Sequence, residues 1–406
     1  MLYTLLPVVL ASLFVPDIII YKIFAKRRTK NSLVRALWWM PSILLTAALF
    51  VLISRIDWEE RGLLLPYQIL SETFTILWVA DFGPKICFCL LYGLQQWYAN
   101  YKPSIKKSRW WHPYAYASIP SFIGFFMIIG GVVYGFRHIV VKEVELSLEE
   151  IPESFDGYRI AQFSDLHLGT YKVYAEDVPA RLRDRINEVN ADLIVFTGDI
   201  VNNRANELDG FENQLKGMKA KDGIYAIMGN HDYSTYIYWK SAEKRKENIR
   251  NLQDRMGAQG WKWLLNQHKI IRRGQDSIAL IGVENDGNPH FPALADLPKA
   301  TEGLERPMFK ILLSHDPTHW RREVLDSTDI QLQLSGHTHG MQLELFGLSP
   351  AKFIYPDWGG WYNEGKRWLY VSTGVGGVVY PFRFGAWPEI VVITLRHKKG
   401  ITLLVP

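Results

Sequence analysis

Four long apolar stretches fill the first third of the chain, at about residues 1–24, 33–54, 64–93 and 115–136. Roughly 20 apolar residues in a helix span a bilayer, so each predicts a transmembrane helix. Leu33 to Ile53 and Ile119 to Tyr134 are the clearest. The first stretch is interrupted by Pro16-Asp17, where a kink or helix end is expected, and the third carries Glu72, Asp81 and Pro84. Those two acids fit a polar path through a helix bundle, a stretch that is partly interfacial, or carboxylates that pair with Ser and Thr neighbours. The start lacks a basic n-region and an obvious small-residue cleavage site, so it does not read as a cleavable signal peptide.

From Lys142 onward the pattern changes. Val144 to Leu148 alternates like a strand. Strands are then expected at Arg159–Ser164, Leu193–Thr197, Gly223–Met228, Ser277–Val283, Phe309–Leu313, Ile330–Leu334, Leu369–Ser372, Ile390–Leu395 and Ile401–Val405. Val178, Leu182, Ile186 and Val189 carry helical spacing within 174–189. Strands alternating with helices, then a strand-rich second half, predict an α/β fold of two packed sheets covered by helices. The expected division is a transmembrane domain of about four helices over 1–140 and a second domain over 141–406.

Composition adds three constraints. Aromatics make up 14% of the 406 residues, with 15 Trp, and Trp38-Trp39, Trp97-Tyr98 and Trp110-Trp111 stand at span ends as interfacial anchors do. The formal charge of +5 is concentrated in the N-terminal clusters. Lys22, Lys26, Arg27, Arg28, Lys30 and Arg35 follow the first span, and Lys102, Lys106, Lys107 and Arg109 follow the third. Basic loops stay in the cytoplasm, so the N-terminus and the C-terminal domain are expected outside it. The second domain lacks a basic stripe, which argues against a nucleic-acid partner. The two cysteines, Cys87 and Cys89, both lie in an apolar segment, leaving the second domain without a thiolate metal site or a disulfide framework.

Five motifs carry candidate chemistry: Asp165-Leu166-His167, Gly198-Asp199, Gly229-Asn230-His231-Asp232, Ser314-His315 and Gly336-His337-Thr338-His339. Apolar runs lead into them, an arrangement that delivers ligands to strand ends. A mixed imidazole and carboxylate set suits Mn, Fe or Zn. Two such ions lower the pKa of an attacking water and clamp phosphoryl oxygens. Asp165 and His167 would lie on one side of an extended segment and reach one metal, as would His337 and His339. Asp199 reads as a bridging carboxylate and Asn230 as a neutral oxygen ligand. His231 reads as a general acid toward the leaving group. The other histidines, His112, His138, His268, His290, His319 and His397, lack that strand context and stay outside the metal set.

These motifs resemble those of the calcineurin-like metallophosphoesterase superfamily, over roughly residues 157–397. The resemblance implies a four-layer α/β/β/α sandwich and two divalent metal ions. Carried over by motif, Asp165, His167 and His339 would hold one ion, and Asn230, His315 and His337 the other. Asp199 would bridge them, with Asp199 and His231 as the catalytic pair. The second motif departs from a common Gly-Asp-x-x-Asp form, ending in Asn202. Gly336 to Gln342, Gly360 to Gly365, Tyr370 to Gly376 and Pro388-Glu389-Ile390 are similar to membrane-associated envelope members, some of which act on lipid-linked or nucleotide-sugar phosphates, including UDP-2,3-diacylglucosamine. The Gly-rich stretch 374–377 fits a phosphate cradle or a tight turn. Arg383 is the candidate for binding substrate phosphate, with a surface salt bridge as the alternative. The aromatic and basic stretch 233–263 fits either an acyl-chain lid or an ordinary amphipathic helix. The resulting expectation is a membrane phosphoesterase hydrolysing phosphoester or pyrophosphate bonds, with lipid-linked substrates among the candidates. The alternative is a non-catalytic metal-containing scaffold or sensor.

Overall fold

The computed structural model describes residues 2–26, 30–54, 56–57, 62–63, 65–107, 112–287, 291–304 and 307–397. The chain divides into two compact units, Met1–Val133 and Tyr134–Pro406.

The first unit is helical: α1 (Leu2–Ile20), α2 (Ser32–Leu37), α3 (Met40–Ser54), α4 (Leu65–Tyr101) and α5 (Pro113–Val133). Among the described residues, four segments are long and apolar enough to cross a membrane: Leu6–Ile23, Ser32–Ser54, Thr73–Tyr101 and Pro113–Arg137. Apolar side chains such as Leu44, Phe122 and Phe126 face outward, while Leu13, Leu45, Leu52 and Phe74 pack inside. α2 begins where the Asn31 side chain accepts the Leu33 N–H at 2.9 Å, an N-cap. Of the kink or helix end expected at Pro16-Asp17, the helix end is not found: α1 continues through Pro16 to Ile20. A polar cluster sits inside this unit. Lys85 lies 2.8 Å from Asp17 and 2.6 Å from Asp81, and Ser42 donates to Asp17. Of the two acids expected in the third span, Asp81 therefore pairs with a lysine one turn further along its own helix rather than with Ser or Thr neighbours. Asp81 and Lys85 also line an otherwise largely apolar cavity of about 790 Å³. The Glu72 side chain and Arg27, Arg28, Arg109, Trp110 and Trp111 fall outside the described residues.

The second unit holds two six-stranded sheets. Its strands are β1 (Val140–Leu148), β2 (Arg159–Phe163), β3 (Leu193–Thr197), β4 (Ile224–Ile227), β5 (Trp261–Trp263), β6 (Gln267–Arg273), β7 (Asp276–Gly282), β8 (Phe309–Leu313), β9 (Leu332–Ser335), β10 (Gly360–Glu364), β11 (Arg367–Val371) and β12 (Glu389–His397). The orders are β1-β12-β2-β3-β4-β5 and β10-β11-β9-β8-β7-β6. β2, β3, β4 and β5 run parallel, as do β7, β8, β9 and β11.

Period-two alternation builds the layers. Leu193 and Val195 of β3 join Ile311 and Leu313 of β8 in the core between the sheets. Ile194 and Phe196 point the other way, under α6 (Leu168–Tyr174), α7 (Val178–Glu188) and α8 (Ala242–Ala258). The far face of the second sheet is covered by Leu297, Ala300, Trp320 and Val324. This is the expected four-layer α/β/β/α sandwich. The helix expected over 174–189 starts only at Val178, with Pro179 in its first turn. β5, β6 and β10 were not legible as strands; they stand at or beside sheet edges, and β6 is strongly charged. The expected strand Ile401–Val405 lies outside the described residues.

Candidate metal centre

Every motif follows the C-terminal end of a parallel strand: Asp165 after β2, Asp199 after β3, Asn230 and His231 after β4, His315 after β8, His337 and His339 after β9. Crevices beyond the carboxyl ends of parallel strands are where open α/β sheets bind ligands. The local geometry is not the expected extended one. Asp165, His167, Asp199, His337 and His339 have φ of 55°, 47°, 64°, 76° and 52°. Such left-handed backbone costs of order 1–3 kcal/mol per non-Gly residue, and five in one site make it a place where folding energy is spent on aiming side chains. Glycines permit the close approach. A Cβ on Gly229 would fall 2.2 Å from Asp199 Oδ1, and one on Gly336 2.5 Å from Asp165 Oδ2.

Two clusters result, sharing Asp199. In the first, the donor atoms of Asp165, His167 and His339 all lie within 4.8 Å of one another; His167 Nε2 and His339 Nε2 are 3.1 Å apart. In the second, Asn230 Oδ1 lies 3.0 Å from His315 Nε2 and 2.8 Å from His337 Nδ1. Asp199 Oδ2 is 3.1 Å from His315 Nε2 and 3.6 Å from His167 Nε2.

Neighbours fix the tautomers. His315 donates Nδ1–H to the Thr197 carbonyl at 2.7 Å, turning the Nε2 lone pair inward. His167 donates Nδ1–H to Asn202 Oδ1 at 3.0 Å, with the same result. Asn202 thus fills the departed motif position and orients a ligand without adding charge. His231 donates Nδ1–H to the Asn202 carbonyl at 2.8 Å, leaving Nε2 for proton transfer. Tyr355 Oη stands 3.0 Å from His337 Nε2.

The donor set fits cations. His315 Nε2 faces the oxygens of Asn230 and Asp199, an arrangement of acceptors that only a proton or a metal ion can reconcile. Burial opposes a charged His315 ring, yet the Asp199 carboxylate outweighs it and lifts the pKa to about 10. Burial likewise opposes the Asp199 charge, but His315, His231 and His167 hold it well below the usual range. Burial pushes Asp165 up to about 6 and lowers His167 to about 3 and His337 to about 4.

The calcineurin-like phosphoesterase family model matches residues 158–341. The Bacillus subtilis metallophosphoesterase YkuE is 35% identical over 265 residues, covering 61% of this chain and 82% of its own. This chain belongs to the calcineurin-like phosphoesterase family. A Danio rerio transmembrane protein with a metallophosphoesterase domain is 30% identical over 279 residues, 67% of this chain and 60% of that one. The match therefore spans less than two thirds of that longer relative. An Aquifex aeolicus metallophosphoesterase is 27% identical, covering 64% of this chain and 92% of its own. The phosphoesterase unit is metal-dependent by family, and with four apolar spans the chain is a membrane protein.

Within the phosphoesterase unit, two carboxylates took no role in the sequence reading, the buried Asp232 and the half-buried Glu207. Asp232 accepts the N–H groups of Asp199, Ile200, Val201 and Gly229 and clamps the Asp199 loop; burial, then the Asp199 charge, raise it to about 7. Glu207 accepts N–H groups from Gly169, Asn202, Asn203 and Arg204. The motif spelling exposes Asp232, but nothing in the sequence points to Glu207. Arg383 corrects an expectation. It is fully buried, and its guanidinium donates to the carbonyls of Gly376, Thr373, His339 and Ala386 and to His339 Nδ1, so it braces the ligand loops and is not presented to substrate. The Gly374–Gly377 stretch is a close-packed turn: Gly376 N–H is spent on the Asp165 carbonyl, and a Cβ there would fall 2.0 Å from the Leu166 carbonyl oxygen. The stretch after His231 resolves into turns followed by α8, whose Leu252 and Met256 pack on the core as an ordinary amphipathic helix does.

Proposed function

We propose that this chain is a membrane-anchored dinuclear phosphoesterase that hydrolyses phosphoester or pyrophosphate bonds of lipid-linked substrates, such as a UDP-diacylglucosamine type, on the extracytoplasmic side. The observation that carries the dinuclear reading is Asp199, whose carboxylate lies between the Asp165/His167/His339 cluster and the Asn230/His315/His337 cluster. Two bound ions, Mn, Fe or Zn, would supply Lewis acidity toward phosphoryl oxygens and lower the pKa of the attacking water. The chain's own part is positional. Asp165, His167 and His339 would hold one ion, Asn230, His315 and His337 the other, and Asp199 both. His231, held by the Asn202 carbonyl, would deliver a proton from Nε2 to the leaving oxygen. The extracytoplasmic side follows from the basic loops after the first and third spans.

The test is metal content and turnover of full-length protein in detergent with Mn, across a soluble diester, a phosphatidyl headgroup substrate and a UDP-linked diacyl sugar. Two ions per chain and lipid turnover that Asp199→Asn abolishes are expected. A single ion, or activity retained by that variant, would refute the bridged site. Metal without turnover on any substrate would favour a scaffold. Reporter fusions at the C-terminus check the side of the membrane.

A further inference from the structure

The loop after the last His motif is unusually apolar for one beside a polar site. Residues 345–356 read Leu-Phe-Gly-Leu-Ser-Pro-Ala-Lys-Phe-Ile-Tyr-Pro, with Lys352 the one charge. Phe346 is 102% exposed, Phe353 93%, Leu348 64% and Ile354 62%. Val379, on a neighbouring loop, is 70% exposed. Phe346 and Val379 both sit at positive φ, 54° and 70°, a strained conformation for a bulky or β-branched residue. Contiguous exposed apolar surface on this scale marks an interaction site.

The two loops form one surface. Glu344 N–H donates to the Phe384 carbonyl, Phe384 N–H to the Gln342 carbonyl and Val378 N–H to Gln342 Oε1. That surface is tied to the candidate metal centre, since Ser349 Oγ donates to the Gly340 carbonyl at 2.6 Å and Tyr355 Oη meets His337. It is also where the last apolar segment enters this unit. That segment runs to Arg137, and its final residues pack on the 376–387 loop. Tyr134 and His138 stack edge-on to Trp387, and Gly135 lies so close that a Cβ would fall 1.8 Å from the Arg383 carbonyl oxygen. Phe136 is buried against Tyr171.

We propose that Met341, Phe346, Leu348, Phe353, Ile354 and Val379 form a rim that inserts into the interfacial layer of the bilayer carrying the chain's own spans. Continuity with the membrane-entry segment selects a bilayer as the occupant. Lys352 adds a cation that can reach anionic headgroups while its stem stays among apolar neighbours. The rim brings the site to headgroup depth, where the phosphate of a bilayer-resident lipid lies. This consequence rests on the lipid-substrate reading above; the docking itself does not.

Full-length protein, with Cys87 and Cys89 replaced by Ser, would be reconstituted in phosphatidylcholine–phosphatidylglycerol nanodiscs and labelled with an environment-sensitive fluorophore at Phe353→Cys. Lys219→Cys, an exposed position before β4 at the opposite end of the strand from the site, is the control. Lipids spin-labelled near the headgroup should quench the first label and spare the second. An unquenched Phe353→Cys label overturns the docking whatever the activity. Phe346→Ser with Phe353→Ser should lower turnover of a bilayer lipid roughly tenfold, about 1.4 kcal/mol, while a soluble diester stays within about twofold. Equal losses on both substrates overturn it. Quenching without any lipid turnover by the unmutated protein upholds the docking and removes the lipid-substrate reading. An unquenched label on a dimer that the double variant dissociates assigns the face to a second copy and overturns the proposal.

Discussion

Two regions of this chain bury charged side chains, and they do so in opposite ways. In the helical unit, Lys85 sits between Asp17 and Asp81, with Ser42 completing the set. Donors face acceptors, and the backbone around them is regular helix. In the phosphoesterase unit, acceptors converge on acceptors. His315 Nε2 faces Asn230 and Asp199, and five of the converging residues sit at positive φ. In the first cluster the chain supplies its own cation, although Asp81 Oδ2 has no hydrogen-bond partner among the described residues. The second is complete only with something positive added. An excess of inward lone pairs on strained backbone, more than burial of charge as such, separates a binding site from a structural ion pair.

That contrast can be broken most severely at the proton donor. His231→Ala should retain metal but lower kcat by roughly 10²–10⁴-fold, the usual worth of a positioned acid. The loss should be largest for poor leaving groups. Turnover close to the unmutated protein's would remove His231 from the chemistry.

Lys85→Met tests the other side. Stranding two carboxylates among apolar helices should cost about 3–5 kcal/mol, read as a drop in the thermal midpoint in detergent. Adding Asp17→Asn and Asp81→Asn should restore most of it. If the triple variant were stable yet inactive, the cluster would be functional and the contrast would fail.

A smaller effect is expected at Asn202→Ala, which frees His167 Nδ1. Metal affinity should drop by about 10–100-fold, the range for losing a partner of a ligating imidazole, as measured by competitive chelation. Unchanged affinity would show that the ring needs no such support.

The smallest effect concerns acid stability. Burial opposes the charge on Asp192, but the Arg159 N–H, Lys221 and Arg273 outweigh it and hold its pKa below the usual value. Its stabilisation is present above the unfolded pKa of about 3.9 and is lost as pH falls through the lower folded value. Asp192→Asn should therefore lower the unfolding midpoint at neutral pH, with the gap to the unmutated protein closing below about pH 4. A gap that persists in acid would contradict the assignment.

The parts of this molecule that were legible in the sequence share a cause. β3 announces itself as an apolar run, and β8 nearly so with Lys310 its one charged residue, because both their faces are buried, and a candidate ligand stands two residues beyond each, Asp199 and His315. What stayed hidden depends on contacts between segments distant in sequence. Nothing around Glu207 indicates that the distant Gly169 N–H will join the neighbouring N–H groups of Asn202, Asn203 and Arg204 on its carboxylate, and nothing around Arg383 indicates that carbonyls and the His339 imidazole will take up its donors. Lys85 stands one helical turn from Asp81, a spacing visible in the sequence, but Asp17 lies on another helix. The expected extended Asp-x-His geometry failed for a local reason. The positive φ at Asp165 and His167 is held by backbone bonds to the Gly198 and Asp199 carbonyls, which no spacing rule reports.

Asn202 serves two masters through different atoms. Its side-chain oxygen steers His167, and its main-chain carbonyl steers His231. Replacing the residue erases the first instruction and leaves the second, because every amino acid carries a carbonyl. The affinity for the ion and the readiness of the proton are thus separately adjustable at one position: drift at 202 can retune the first while the second is inherited unchanged.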